Sequence, residues 1–180
     1  FARFGIEPDL KTLGKYVGGG MSFGAFGGKR EIMAQFDPTG PNPLPHAGTF
    51  NNNTLTMTAG QAAMTEIFTP EACIALNARG DRLRDRLNDL FMRYQVRMQA
   101  KGIGSMMTLH PLGGDITSPE ATEHADIRLK RLLFLDLLEG GFYMAERGFV
   151  ALSLMVTDED CDRLVEAVER FVERRRAHLS

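Results

Sequence analysis

Lys15 stands in Leu13-Gly14-Lys15-Tyr16-Val17-Gly18-Gly19-Gly20, a single amine between an apolar run and three consecutive glycines. Gly24, Gly27 and Gly28 follow. A lysine placed so is either a surface charge beside a flexible loop or a nucleophile held against a phosphorylated or carbonyl-bearing cofactor. The order is not that of a P-loop, in which lysine follows the glycines and Ser or Thr comes next. Here Lys15 precedes them and Tyr16 comes after it, and no dinucleotide-binding fingerprint is present. A second candidate is His46-Ala47-Gly48-Thr49-Phe50-Asn51-Asn52-Asn53. Small residues, a hydroxyl and backbone N–H groups just ahead of a helix suit an anion. They suit helix capping equally, through Thr49 or one of the asparagines. His46, His110, His124 and His178 lack metal-ligand spacing and read as capping or surface residues, so no metal site is expected.

These residues must be positioned by the elements around them. Tyr16-Val17 and Ser22 to Phe26 read as extended pieces joined by a glycine turn. Lys29 to Phe36 reads as one or two helical turns, and Asp37 to Pro45, with four prolines, as a loop. A helix is expected over 54–68. Thr69-Pro70-Glu71 then restarts a helix with an N-cap side chain, a proline at the first helical position and an early carboxylate. That helix reaches about Arg93, with Leu83, Leu87, Leu90 and Phe91 on one face. Arg79, Asp81, Arg82, Arg84, Asp85 and Arg86 form its solvated face. Val96–Ala100 reads as an edge strand, Gly104–His110 as a second strand, Ala125–Glu139 as a helix and Phe149–Val156 as a third strand. Thr157 caps a last helix with three acids in its first turn and Arg174, Arg175 and Arg176 at its end. Phe142 and Tyr143 read as core. The change of pattern near residue 70 marks a boundary: a glycine- and proline-rich piece over 1–70, then an α+β lobe over 71–180.

The 180 residues suit one domain or two small ones, and 43% hydrophobic content is enough for a core. A net charge of -2 gives no pull toward nucleic acid or an anionic membrane. No apolar run approaches the roughly 20 residues that span a bilayer. Cys73 and Cys161 lie far apart in helix-like segments and read as core or half-buried thiols rather than a disulfide framework. A cytoplasmic protein is the expectation. The chain opens on Phe1-Ala2-Arg3-Phe4-Gly5, which reads as the middle of a longer polypeptide.

The segment from Pro8 to Gly28, Pro-Asp-Leu-Lys-Thr-Leu-Gly-Lys-Tyr-Val-Gly-Gly-Gly-Met-Ser-Phe-Gly-Ala-Phe-Gly-Gly, strongly resembles the class III aminotransferases. The resemblance continues through Gly48-Thr49-Phe50-Asn51-Asn52-Asn53 and on to Ala145-Glu146-Arg147-Gly148-Phe149-Val150-Ala151-Leu152-Ser153, covering essentially the whole chain. Within the class it is most similar to the glutamate-1-semialdehyde aminomutase-like branch, and there to the β-phenylalanine (β-amino acid) aminotransferases. The resemblance implies an α/β, fold-type I transferase dependent on pyridoxal 5′-phosphate. Residues 1–70 are then the C-terminal part of the large cofactor-binding domain, and 71–180 the C-terminal small domain. It implies Lys15 as the Schiff-base lysine and proton shuttle. It implies Gly48 and Thr49 as cofactor contacts, Thr49 donating to the phosphate of the neighbouring subunit in a homodimer with interfacial active sites. It implies Arg147 as the fork for a substrate carboxylate; structural pairing with Glu146 is the alternative. Met21, Ser22 and Phe23 follow the triplet toward the cofactor pocket, although many relatives carry proline where Ser22 stands.

The implied reaction moves an amino group from a β-amino acid or related carboxylated amine to a keto acid. Other readings stay open, an epimerase or decarboxylase on the same fold among them. A glutamate-1-semialdehyde 2,1-aminomutase would carry a proline- and serine-containing segment where this chain has Phe142-Tyr143-Met144-Ala145-Glu146-Arg147. A non-catalytic dimerisation lobe would leave Lys15 idle. The phosphate loop of the same subunit, the ring-stacking aromatic and the aspartate for the pyridine nitrogen are expected upstream of Phe1.

Overall fold

A computed structural model describes residues 4–179, which fall into two units, Phe1–Pro70 and Glu71–Ser180. In the first, strands β1 (Leu10–Gly14) and β2 (Gly24–Gly28) pair antiparallel, Leu10 opposite Gly28 and Gly14 opposite Gly24. Tyr16 and Val17, expected to be extended, lie instead in a 3-10 turn over Lys15–Gly18. The reason is local: Lys15 has φ +56, a left-handed conformation that ends a strand. The anticipated helical turns after Lys29 are helix α1 (Arg30–Met33) running into a 3-10 turn, Ala34–Phe36. The proline loop follows, with Asp37 accepting from the backbone and hydroxyl of Thr39. Helix α2 (Thr54–Ala62) then continues as a π-turn over Ala63–Ile67.

The second unit is built on a three-stranded antiparallel sheet. Helix α3 (Pro70–Tyr94) leads to β3 (Gln99–Ile103), β4 (Met106–His110), helix α4 (Ile127–Glu139), β5 (Phe149–Ala151) and helix α5 (Asp158–Leu179). Strand order is β3-β4-β5, with Ala100 opposite Leu109 and Met107 opposite Val150. Alternation sends Ala100, Met107 and Leu109 into a core completed by Leu87 and Phe91 of α3, Leu133 and Leu137 of α4, and Val168 and Phe171 of α5. The interior is apolar and continuous, and its burial is the dominant favourable term for a lobe of this size.

Caps and ion pairs fix the helix ends. Thr157 and Asp160 form a reciprocal capping box, the Thr157 hydroxyl accepting from the Asp160 N–H while the Asp160 carboxylate accepts from Thr157. The charged face of α3 is more than solvated surface. Arg79 donates to the Val156 carbonyl at 2.6 Å and, with Arg82, pairs with Asp158, while Arg86 pairs with Asp162. Arg174 and Arg175, expected only to complement the α5 dipole, both reach Asp136 of α4, whose side chain is nearly buried. Cys161 is buried, Cys73 half-buried, and both are free thiols. Among the described residues no helix is long and apolar enough to cross a membrane.

His110 corrects the reading of the histidines as surface or capping groups. It is buried at the end of β4, and among the described residues its Nδ1 has no hydrogen-bond partner. Burial, aided by the charges of Lys130 and Lys101, pushes its pKa below the ordinary 6.5. The unfolded chain therefore takes up a proton here before the folded one does, and folding loses stability as the pH drops below the unfolded value. In the full-length protein, His110→Phe is expected to flatten the fall in unfolding midpoint between about pH 7 and pH 5, read by thermal melts across that range.

Candidate active site

Lys15 is the first residue after β1, exposed at the mouth of the hairpin. The glycines behind it are needed sterically. Gly19 and Gly20 have φ +58 and +89, and a Cβ on Gly19 would run into the Ala59 carbonyl. Gly18 is buried, with the Phe23 side chain where its Cβ would go. The turn closes through the Met21 N–H donating to the Gly18 carbonyl at 3.0 Å. A lysine held in the left-handed region costs about 1 kcal/mol, a strain typical of functional positions.

The second candidate segment is a tight loop ahead of α2. The Asn51 N–H donates to the Gly48 carbonyl at 3.0 Å, and the Asn51 side chain lies where a Cβ on Gly48 would be. Asn51 Nδ2 and His46 Nε2 lie 3.4 Å apart. The cap of α2 is Asn53, whose side chain accepts from the Thr56 N–H at 3.2 Å. Capping, the alternative use of this segment, therefore falls to Asn53 and leaves the Thr49 hydroxyl out of it. Thr49 is exposed, and Phe50 beside it is 84% exposed.

A cavity of about 970 Å³ opens beside this loop, lined by Ser22, Phe23, Phe26, His46, Gly48 and Asn53 among others. Gly48, Ser22 and Phe23 reach it; Lys15, Thr49 and Met21 do not line it. Within one chain, then, the two strongest candidates do not share a cavity. The aromatic wall escaped the sequence reading: Phe26, Phe36 and His46 meet edge to face, Phe26 5.2 Å from each of the others. Its only sequence signal was the recurrence of aromatics on either side of the proline loop.

Arg147 lies in the second unit, exposed on the turn before β5. Glu146, its proposed structural partner, pairs with Arg131 instead. The Arg147 guanidinium rests over the Phe149 ring, 5.3 Å from its centroid. Gly148, at φ +88, lets the turn pass over the Leu109 carbonyl, and the Leu109 N–H donates to the Gly148 carbonyl at 2.9 Å. The arginine thus stands on a fixed base, its exposed head resting on the Phe149 ring. Of the two aromatics read as core, Phe142 packs there, while Tyr143 is 87% exposed.

The family model described as Aminotransferase class-III matches residues 1–172. The chain is 55% identical over 170 residues to the beta-phenylalanine transaminase of Variovorax paradoxus, covering 94% of this chain and 39% of that protein. It is 34% identical over 173 residues to glutamate-1-semialdehyde 2,1-aminomutase 2 of Staphylococcus saprophyticus, covering 95% of this chain and 40% of that one. The crystal structure of the beta-phenylalanine aminotransferase from Variovorax paradoxus is similar to it with a TM-score of 0.94 and 53% identity, over 99% of this chain and 41% of that one. The omega-transaminase of Sphaerobacter thermophilus gives 0.81 and 30%, over 96% and 40%. The chain spans about two fifths of the length of the curated relatives it matches.

Proposed function

The chain belongs to the class III aminotransferases, and from that premise we propose that the whole protein is a pyridoxal 5′-phosphate-dependent transaminase acting on β-amino acids. The observation that carries the proposal is the 55% identity to a beta-phenylalanine transaminase, against 34% to an aminomutase. Its fold is that of the fold-type I transferases. Residues 1–70 are the C-terminal part of the large cofactor-binding domain and 71–180 the small domain. The protein acts as a cytoplasmic homodimer whose active sites lie at the subunit interface.

The residues present suit the cofactor. An exposed primary amine beside a floor of glycines answers an aldehyde, and a hydroxyl flanked by backbone N–H groups answers a phosphate. When bound, pyridoxal 5′-phosphate supplies an electron sink for the substrate carbon that bears the amino group. Lys15 holds the cofactor through its ε-amino nitrogen. Once an incoming amine displaces it, that nitrogen would take the proton from the amine-bearing carbon as a base and give it up, as an acid, to the cofactor carbon that had carried the aldehyde. Thr49 donates its hydroxyl to the phosphate held by the partner subunit, and Gly48 gives the loop the narrow approach it needs. That Thr49 does not line the cavity of its own chain supports that assignment. Arg147 takes the substrate carboxylate in its guanidinium fork.

The test is made on the full-length protein, with an amino donor such as β-phenylalanine and a separate keto acid. A transaminase consumes both; an aminomutase turns over with no external acceptor, and a non-catalytic lobe shows no borohydride-sensitive visible band. Turnover without an acceptor would overturn the proposal. Thr49→Val should weaken cofactor binding by about 10- to 100-fold, the loss of one hydrogen bond to a charged group, measured by titration of the apoprotein.

A further inference from the structure

Helix α2 meets the Lys15 turn backbone to backbone. Gly60 is buried, and a Cβ on it would strike the Val17 carbonyl, with the Gly18 Cα 3.6 Å away. In the other direction, a Cβ on Gly19 would strike the Ala59 carbonyl and lie 3.2 Å from the Ala59 methyl. The two segments therefore interlock, each glycine making room for a carbonyl of the other. Thr56, one turn before Gly60 on the same helix face, is buried as well. The opposite side of the turn rests on Phe23 through Gly18. A lysine in the left-handed region keeps that conformation only while its surroundings over-determine it, and the contact at Gly60 does so two residues downstream of Lys15.

The same helix begins at the Asn53 cap, on the loop that carries Gly48 and Thr49. From Thr54 to Gly60 it is a rigid rod of about 9 Å. Any shift forced at Gly60 is carried at once to the Lys15 turn and to the Thr49 loop.

We propose that Gly60 is a positioning residue for Lys15, fixing the direction of its amine by seating helix α2 against the Val17 carbonyl. The proposal rests on the reading of Lys15 as the cofactor-anchoring lysine. A side chain at position 60 pushes the turn away from the helix, and the lysine stem leaves the one direction in which it meets the cofactor aldehyde. A misplacement of about 1 Å suffices to slow a positioned reaction by up to a hundredfold.

The experiment uses the full-length protein loaded with pyridoxal 5′-phosphate, reduced with borohydride and mapped by peptide mass spectrometry. In the unaltered protein the label sits on Lys15; a label elsewhere sinks the functional reading itself and is recognised as such. In Gly60→Ala, labelling of Lys15 should fall about tenfold, with the far-UV spectrum kept and total cofactor content lowered far less. Gln61→Ala, on the exposed side of the same helix, should label as the unaltered protein does. Should Gly60→Ala not fold, Ala59→Gly loosens the other half of the same interlock, at Gly19, without a collision and should slow labelling two- to threefold. Normal labelling in the folded Gly60→Ala protein, or normal labelling in Ala59→Gly where Gly60→Ala does not fold, overturns the proposal. An equal loss in Gln61→Ala does the same.

Discussion

Full-length protein carrying Lys15→Ala is expected to fold normally, to lose covalent attachment of the cofactor, and to turn over at least about 1,000-fold more slowly. The fold should survive because the ε-amino group makes no part of the core: Lys15 is exposed, and what the position demands is a left-handed backbone. Alanine carries the same steric penalty there as lysine, so the apoprotein should unfold at nearly the same temperature. Lys15→Gly separates the two roles more sharply. Glycine is at ease in the left-handed region, so this variant should be more stable than the original by about 1 kcal/mol while being equally inactive. Opposite signs for stability and turnover at one position are the mark of a residue held for chemistry. Calorimetry of the apoproteins, beside keto acid-dependent turnover of the reconstituted ones, decides the matter. Residual covalent cofactor in Lys15→Ala would place the anchoring amine elsewhere.

Arg147→Met should lower kcat/KM for carboxylated amines by about 100-fold, the worth of a charge-assisted hydrogen-bonded pair. An amine of similar shape lacking the carboxylate should be turned over as before. The contrast matters because the guanidinium also lies over the Phe149 ring. Loss of that stacking at an exposed site costs about 1 kcal/mol or less, and it would affect both substrates alike. Arg147→Lys should recover little, since an ammonium cannot present the planar fork. Steady-state kinetics on the matched pair of amines checks this. Equal losses on both would show that Arg147 serves the lobe rather than the substrate.

The helical parts of the chain were the most readily legible. Thr69-Pro70-Glu71 and Thr157 with Asp160 are self-contained signals, readable without knowledge of what lies elsewhere in the fold, and helices α3 and α5 begin where they say. The strands depend on partners that sequence does not display. Val96–Ala100 has the alternation of an edge strand, yet pairing begins at Gln99, because Val96 turns back to hydrogen bond with the end of α3. Phe149–Val156 looks continuous, but pairing stops at Ala151. The Leu152 N–H reaches the Ser105 carbonyl, and the chain then turns through Ser153–Val156. Tyr16-Val17 has strand-forming residue types, and no propensity rule registers that the preceding lysine is left-handed. The candidate residues were legible one by one, as an amine before glycines, a hydroxyl before a helix and an arginine before a strand. What sequence could not convey was the interlock at Gly60. Glycine inside a helix reads only as a weakness until the carbonyl that needs its space is seen.

Helix α5 is held at both extremities. At its start Arg79 and Arg82 grip Asp158, and at its end the Leu179 carbonyl accepts the Arg97 N–H at 2.6 Å. Peeling of either terminus must first break one of these ties, so the local openings that usually begin at helix ends cost more here. Unfolding of this lobe must then start at a segment that carries no such tie.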